Sequence, residues 1–307
     1  MKTLLRIGTR ESELALWQAS TTQKQLEKLG VDAVLHPVKS TGDLVLDKPL
    51  YEMGITGIFT KALDVALLKG TIDLAVHSTK DVPTRLPKGI VQTAVLKRAN
   101  VLDVLLHKGD DCYSGKKTIA TGSLRRKAQW LCRYPNHDVV NLRGNVNTRM
   151  IKLIENDWDG AIFAKAGLER IKLLPKDAID LDWMIPAPAQ GAVVVLALEK
   201  NKKAVEITQL LNHKESEIAT KIEREFLNTL EGGCTAPIGA LATIKNQHVI
   251  FKGCLHTLDG KKKVEIAEVC PLDKSESFGK KCAIKILKNG GHKLMQMIKD
   301  ELKSPIH

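Results

Sequence analysis

Short apolar runs that end in polar turns and then give way to helix-spaced patterns recur along the first two thirds of this chain. Leu4 to Thr9 reads as a strand; Leu14, Leu16, Trp17 and Leu26 then follow at helical spacing and stop at Gly30, and Val31 to Val38 reads as a second strand. Phe59 to Leu68 reads as a helix, and Leu74 to His77 and Ile90 to Leu96 as further strands. Such alternation folds as α/β layers. The chain has 307 residues, and at roughly 150 residues per domain two or three units are expected, each with its own core. A composition of 43% hydrophobic and 27% charged residues, without a long apolar run, excludes a disordered chain and a membrane span. Arg6, Arg10 and Glu11 interrupt the first hydrophobics, so no secretory leader is read and a soluble, cytoplasmic protein with no membrane partner is expected.

The two halves of the α/β region echo each other weakly. Ile7 to Ser12 opens a helix bearing Leu14, Leu16 and Trp17, while Ile119 to Ser123 opens one bearing Leu124, Ala128, Trp130 and Leu131. Both run from a strand through a Thr and a turn to a Ser at an N-cap position. Asp73 to Ser78 and Gly160 to Lys165 repeat the pattern of strand into polar turn. Two similar lobes facing a cleft explain the echo, and so does coincidence among short α/β units. Ala192 to Leu198 reads as an apolar strand returning to the first lobe, with helices at about 200–212 and 216–230 after it. Gly239 to Ile244, Val249 to Thr257 and Lys262 to Cys270 alternate apolar and polar residues, as in an antiparallel sheet with one solvated face, and a terminal helix from about Ser277 would cover the other. The expected domains are residues 1–98 with 192–212, residues 99–191, and residues 213–307.

The formal charge is +12, and its location matters more than its size. Half of the excess lies in residues 245–307 as lysines mixed with acids, the pattern of a solvated face. Residues 121–152 instead hold Arg125, Arg126, Lys127, Arg133, Arg143, Arg149 and Lys152 against Asp138 alone. Arginine suits bidentate capture of carboxylate or phosphate, so an anionic partner is expected. Cys112, Cys132, Cys234, Cys254, Cys270 and Cys282 show no CxxC pair and no Cys/His metal spacing, so thiols and no metal site are expected.

Five segments carry residue types suited to chemistry. The two strand-to-helix turns bring Thr9, Arg10, Ser12, Thr121, Ser123, Arg125 and Arg126 to helix N-termini, where unpaired N–H groups favour anions. Arg125 and Arg126 project in different directions, so one can face a cleft while the other braces it. His77-Ser78-Thr79-Lys80-Asp81-Val82-Pro83 sets a Lys and an Asp at the carboxyl end of a strand, where α/β sheets place ligands. Asp81 there could guide a proton or stabilise a cation, with Lys80 and His77 modulating its charge, or the turn could simply hold a surface salt bridge. Asn141 to Arg149 places Arg143 and Arg149 around a glycine turn; both an anion clamp and solvated arginines fit. Glu231-Gly232-Gly233-Cys234-Thr235-Ala236-Pro237 makes a bent loop around a thiol, either an approachable nucleophile that holds a covalent group or a packed loop cysteine.

Taken together and in order, IGTRESELALWQA, HSTKDVP, TGSLRRKAQ, NLRGNVNTR, AGLER, PAPAQGA and EGGCTAPIGA resemble the porphobilinogen deaminase family, also called hydroxymethylbilane synthases, over essentially the whole chain. The resemblance implies two periplasmic-binding-protein-like α/β lobes and a small α+β C-terminal domain that carries the cysteine. It implies that Cys234 bears a dipyrromethane cofactor through a thioether. Four porphobilinogen units are then joined head to tail with loss of ammonia, before hydrolysis releases hydroxymethylbilane for tetrapyrrole and heme biosynthesis. Asp81 matches the family's catalytic carboxylate, which stabilises cationic azafulvene-type intermediates and assists proton transfer. Lys80, Asp81, Thr121, Ser123, Arg125, Arg126 and Arg143 match positions that bind the cofactor, and Arg10, Ser12, Arg149 and Arg170 match positions that hold substrate. Gln190 falls in the hinge-side PAPAQG segment with a supporting role. Cofactor plus four added rings amounts to about twelve negative charges at neutral pH, and charge-assisted contacts of roughly 1.5–3 kcal/mol each could hold them. The family resemblance also implies a monomer.

One departure stands out: Thr56 occupies the place of a lysine common in the family's flexible loop, although Lys61 remains. Two other function classes share part of this pattern. Nucleic-acid binding, suggested by a pI near 9.3, is opposed by 4% aromatic residues and by arginines set in turns rather than along a helix face, so no nucleic-acid partner is expected. A solute-binding protein, suggested by the echoing halves, is opposed by the extra cysteine-bearing domain.

Overall fold

The computed structural model describes residues 4–39, 60–109, 113–230 and 236–303. The first apolar runs form β1 (Leu4–Thr9), β2 (Asp32–Pro37), β3 (Leu74–Ser78) and β4 (Ile90–Val95), and the chain then crosses to β5 (Asp103–His107), β6 (Thr118–Ala120), β7 (Asp138–Val140), β8 (Gly160–Ala164) and β9 (Ile179–Asp180). It returns in β10 (Val193–Leu198). One sheet has the order β2-β1-β3-β10-β4 and the other β7-β6-β8-β5-β9. In each, four strands run in one direction, and the single reversed member, β10 or β5, is the first strand after a crossing. The echo in the sequence is therefore structural, since β1 and β6, and likewise β3 and β8, occupy equivalent places. This is the two-lobed α/β arrangement expected above.

β10 is apolar at every residue because both of its faces are covered. Val193, Val195 and Ala197 join the core beneath helix Glu13–Lys28, while Val194, Leu196 and Leu198 join the core beneath helix Lys61–Leu68. The two crossing segments run side by side, with the Ala99 N–H donating to Gly191 O at 3.1 Å and the Leu96 N–H to Val193 O at 3.0 Å. Gly191 has φ +83°, and a Cβ there would lie 2.6 Å from Asn100 O, so this close approach requires glycine.

Helices Lys202–Gln209 and Lys214–Thr229 lead into a third unit, an antiparallel sheet β11 (Ile238–Lys245), β12 (His248–His256) and β13 (Lys263–Pro271). Its core is built on Phe226, Phe251 and Phe278. The single terminal helix expected from Ser277 is two helices, Phe278–Ile286 and His292–Lys303. Gly290 between them adopts φ +103°, a left-handed conformation open to glycine, and the helix turns there.

Candidate functional site

Four strand or loop ends lead into turns that carry the candidate residues, and three of those turns are built by a side-chain cap. The Ser12 Oγ accepts from the Ala15 N–H at 3.4 Å, the Ser123 Oγ from the Arg126 N–H at 3.4 Å, and the Asn145 Oδ1 from the Thr148 N–H at 2.9 Å. Thr121 accepts from the Ser123 N–H at 3.3 Å. These side chains accept from the backbone, which leaves the O–H of Ser12, Thr121 and Ser123 available to donate. Asp81 closes a 3-10 turn, Thr79–Asp81, directly after β3.

The strongest local charges meet at Asp103, the first residue of β5. Its carboxylate, fully buried, accepts from Arg126 Nε at 3.0 Å and Nη2 at 2.8 Å on Oδ1, and pairs with Arg125 Nη1 at 2.8 Å on Oδ2. Arg126 completes its set on Ile162 O, whereas Arg125 reaches Ile185 O and keeps a buried Nε–H without a partner. Burial alone would push the Asp103 carboxyl up; the Arg125 and Arg126 charges outweigh it and hold the group well below its ordinary value. Gln190, also fully buried, donates to the same Oδ1 at 2.9 Å and accepts from Lys80 Nζ at 3.2 Å. Burial, then the Arg126 charge, brings the Lys80 ammonium down to about 8, against the opposing pull of Asp81 and Asp103.

Further cations complete the field. Arg149 donates to Gly144 O at 2.8 Å, and burial with the charges of Arg126 and Arg143 lowers it to about 10. Arg143 is 4% exposed and lowered by burial. The charge of Arg10 is felt at Arg149 and at His77. His77 is buried, and burial followed by the Arg10 charge drops it to about 3. It is therefore neutral near pH 7 and adds no charge beside Asp81, unlike the role weighed from sequence. The structure thus brings Arg10, Lys80, Asp81, Arg125, Arg126, Arg143 and Arg149 into one electrostatic neighbourhood.

Arg170 stands apart from that group, at the seam of the lobes. Its guanidinium lies 5.4 Å from the Trp17 ring centroid and donates to Gly191 O at 2.7 Å. Cys234 and Thr56 lie outside the described residues, while Lys61 opens its helix on the surface. No cluster of His, Cys, Asp and Glu suited to a metal occurs among the described residues, and none of their helices is long and apolar enough to cross a membrane.

Sequence reasoning missed Asp103, Arg98, Glu223 and Arg224. Arg98 forks onto Glu223 at 2.7 and 2.9 Å, and the same buried carboxylate accepts from the Ala189 N–H at 2.6 Å and the Ala242 N–H at 2.7 Å. One side chain thereby joins both lobe crossings to the third unit. Arg224 reaches the backbone of the Lys80–Asp81 turn. Every one of these partners is far away in sequence, and no local pattern announces them.

Residues 5–206 match the family model "Porphobilinogen deaminase, dipyromethane cofactor binding domain", and residues 218–288 match "Porphobilinogen deaminase, C-terminal domain". Curated relatives include the porphobilinogen deaminase of Syntrophotalea carbinolica, 39% identical over 95% of both chains, and that of Chloroherpeton thalassium, 40% identical over 91% of this chain and 92% of its own. Among solved structures, the methionine-binding protein MetQ gives a TM-score of 0.44 at 15% identity, over 68% of this chain and 89% of its own. The Bordetella pertussis BvgS periplasmic VFT2 domain gives 0.42 at 14%, over 67% and 85%. With both family models matched in order and relatives near 40% identity along almost the full length, this chain belongs to the porphobilinogen deaminase family.

Proposed function

We propose that the chain joins four porphobilinogen molecules head to tail, releasing ammonia at each addition and hydroxymethylbilane by hydrolysis at the end. The observation that carries this reading is the charge balance of the cleft. Among the described residues, Arg10, Lys80, Arg125, Arg126, Arg143 and Arg149 share their mutual field with the carboxylates of Asp81 and Asp103. Such a surplus is costly without a polyanion and suits a ligand with two carboxylates on every ring.

The residues present fit a dipyrromethane: an unpartnered Arg125 Nε–H, the hydroxyls of Ser12, Thr121 and Ser123, and the cations just named are all donors. That group would supply the covalent primer to which each new unit is added. Cys234 would hold it through its sulfur, and Lys80, Thr121, Ser123, Arg125, Arg126 and Arg143 would take its carboxylates. Arg10, Ser12 and Arg149 would orient the incoming unit, with Arg170 and Gln190 fixing the lobes around it. Asp81, an anion among cations, would stabilise positive charge at a pyrrole nitrogen and carry its proton. A monomer in the cytoplasm, serving heme-type tetrapyrrole synthesis, completes the proposal by analogy with the family.

Asp81→Ala tests the chemistry. Turnover should fall by about 10²–10⁴-fold with an unchanged circular dichroism spectrum, and near-normal turnover would remove Asp81 from the mechanism.

A further inference from the structure

The Lys80–Asp81 turn is held from outside its own lobe. Arg224, on the helix Lys214–Thr229 that runs into the Cys234 segment, donates from Nη1 to Thr79 O at 3.2 Å and Val82 O at 2.8 Å, and from Nη2 to Pro83 O at 2.6 Å. Those carbonyls bracket Asp81 on both sides. The Val82 N–H donates back to Thr79 O, and the Thr79 N–H to Ala192 O, so the same short turn is tied to the lobe crossing. Among the described residues the Asp81 carboxylate itself accepts no hydrogen bond, and its position therefore follows from the backbone of the turn.

We propose that Arg224 is the positioning residue for Asp81: by gripping the carbonyls of residues 79, 82 and 83 it fixes the carboxylate relative to the helix that carries the cysteine segment. The inference rests on the functional reading above. A planar guanidinium presents several donors in a fixed fork, and an ammonium on a flexible stem cannot match three carbonyls in that geometry. Glu223, the preceding residue, anchors the same helix to Arg98, Ala189 and Ala242, so the grip starts from a fixed base. A displacement of about 1 Å at a reacting group costs on the order of 100-fold in rate. Arg224 touches no reacting atom, and its effect should appear in kcat rather than in KM.

The test uses full-length protein loaded with its adduct, comparing wild type with Arg224→Gln, Arg224→Lys and Thr84→Val. Thr84 donates to Asn228 at 3.2 Å in the same interface but outside the turn, which makes it the control. Arg224→Gln should lower kcat by about 10–100-fold, with KM for porphobilinogen within about twofold and intact mass still showing the adduct. Arg224→Lys should fall between it and wild type, and Thr84→Val should match wild type. Amide hydrogen exchange should quicken at Thr79 to Val82 in both Arg224 variants and leave β6 and β8 unchanged. Wild-type kcat in Arg224→Gln, or unchanged exchange at the turn, overturns the proposal. If Arg224→Gln does not fold, Arg224→Lys decides by the same two readouts. A wild-type protein with neither adduct nor turnover would refute the functional reading instead, and the exchange measurement would still judge the grip.

Discussion

In the second lobe Arg125 and Arg126 are gripped by Asp103 of their own sheet, whereas in the first lobe the Lys80–Asp81 turn is gripped by Gln190 and Arg224, which lie outside it. The lobes share a strand order, so the difference is not one of fold. It is one of what each polar cluster must do. Two guanidiniums buried on one carboxylate are held rigidly, and removing a partner should cost stability. A turn held across domains keeps its place only while the domains keep theirs, and loosening it should cost rate.

The largest effect expected on stability is from Asp103→Asn. It leaves two buried guanidiniums without their counter-ion and should lower unfolding free energy by about 3–5 kcal/mol, read by urea denaturation. A loss under about 1 kcal/mol would mean that Asp103 does not support the second-lobe cluster. Glu223→Gln comes next: Arg98 loses its charge partner, and a loss of about 3 kcal/mol is expected, with the single unfolding transition splitting as the third unit uncouples. A single transition of unchanged midpoint would show that this junction contributes nothing.

Acid sharpens the comparison further. His77 in the first lobe and His256 in the third unit are buried and lowered to about 3 and about 4, each chiefly by burial. Below about pH 6.5 the unfolded chain binds protons that these folded sites refuse. Stability is therefore highest above that pH and falls as pH drops towards 3 or 4, by up to about 1.4 kcal/mol per unit for each histidine. His77→Asn should flatten that slope, and an unaltered slope between pH 6.5 and 4 would contradict the burial argument. The smallest effect concerns the contact across the lobes between Asn147 Nδ2 and Glu13 Oε2, 2.8 Å apart and exposed. Asn147→Ala should change stability by no more than about 0.5 kcal/mol; a larger loss would make this contact a structural clasp.

Much of the architecture was legible because it is local. The strand-to-helix turns at Ser12 and Ser123 were readable as caps, and both serines cap. The apolar run Ala192 to Leu198 was readable as a strand returning to the first lobe, and Val193–Leu198 pairs there between β3 and β4. The candidate cations were legible as well, since arginines in turns after strands are unusual enough to notice. What supports them was not. Asp103 opens an unremarkable strand and meets Arg126 across 23 residues, and Arg224 meets the Asp81 turn across more than 140. Their roles come from burial and tertiary approach, which leave no periodic trace. The kink at Gly290 was missed for the opposite reason: helical patterns on both sides of it read as one helix.

The central claim is that a thiol-borne anionic primer occupies this surplus of cations. Intact mass of the untreated native protein, followed by peptide mapping, tests it most directly. The account predicts one dipyrromethane adduct, located on the peptide containing Cys234 and lost together with turnover in Cys234→Ser. A fully active protein whose Cys234 peptide carries no added mass would contradict it.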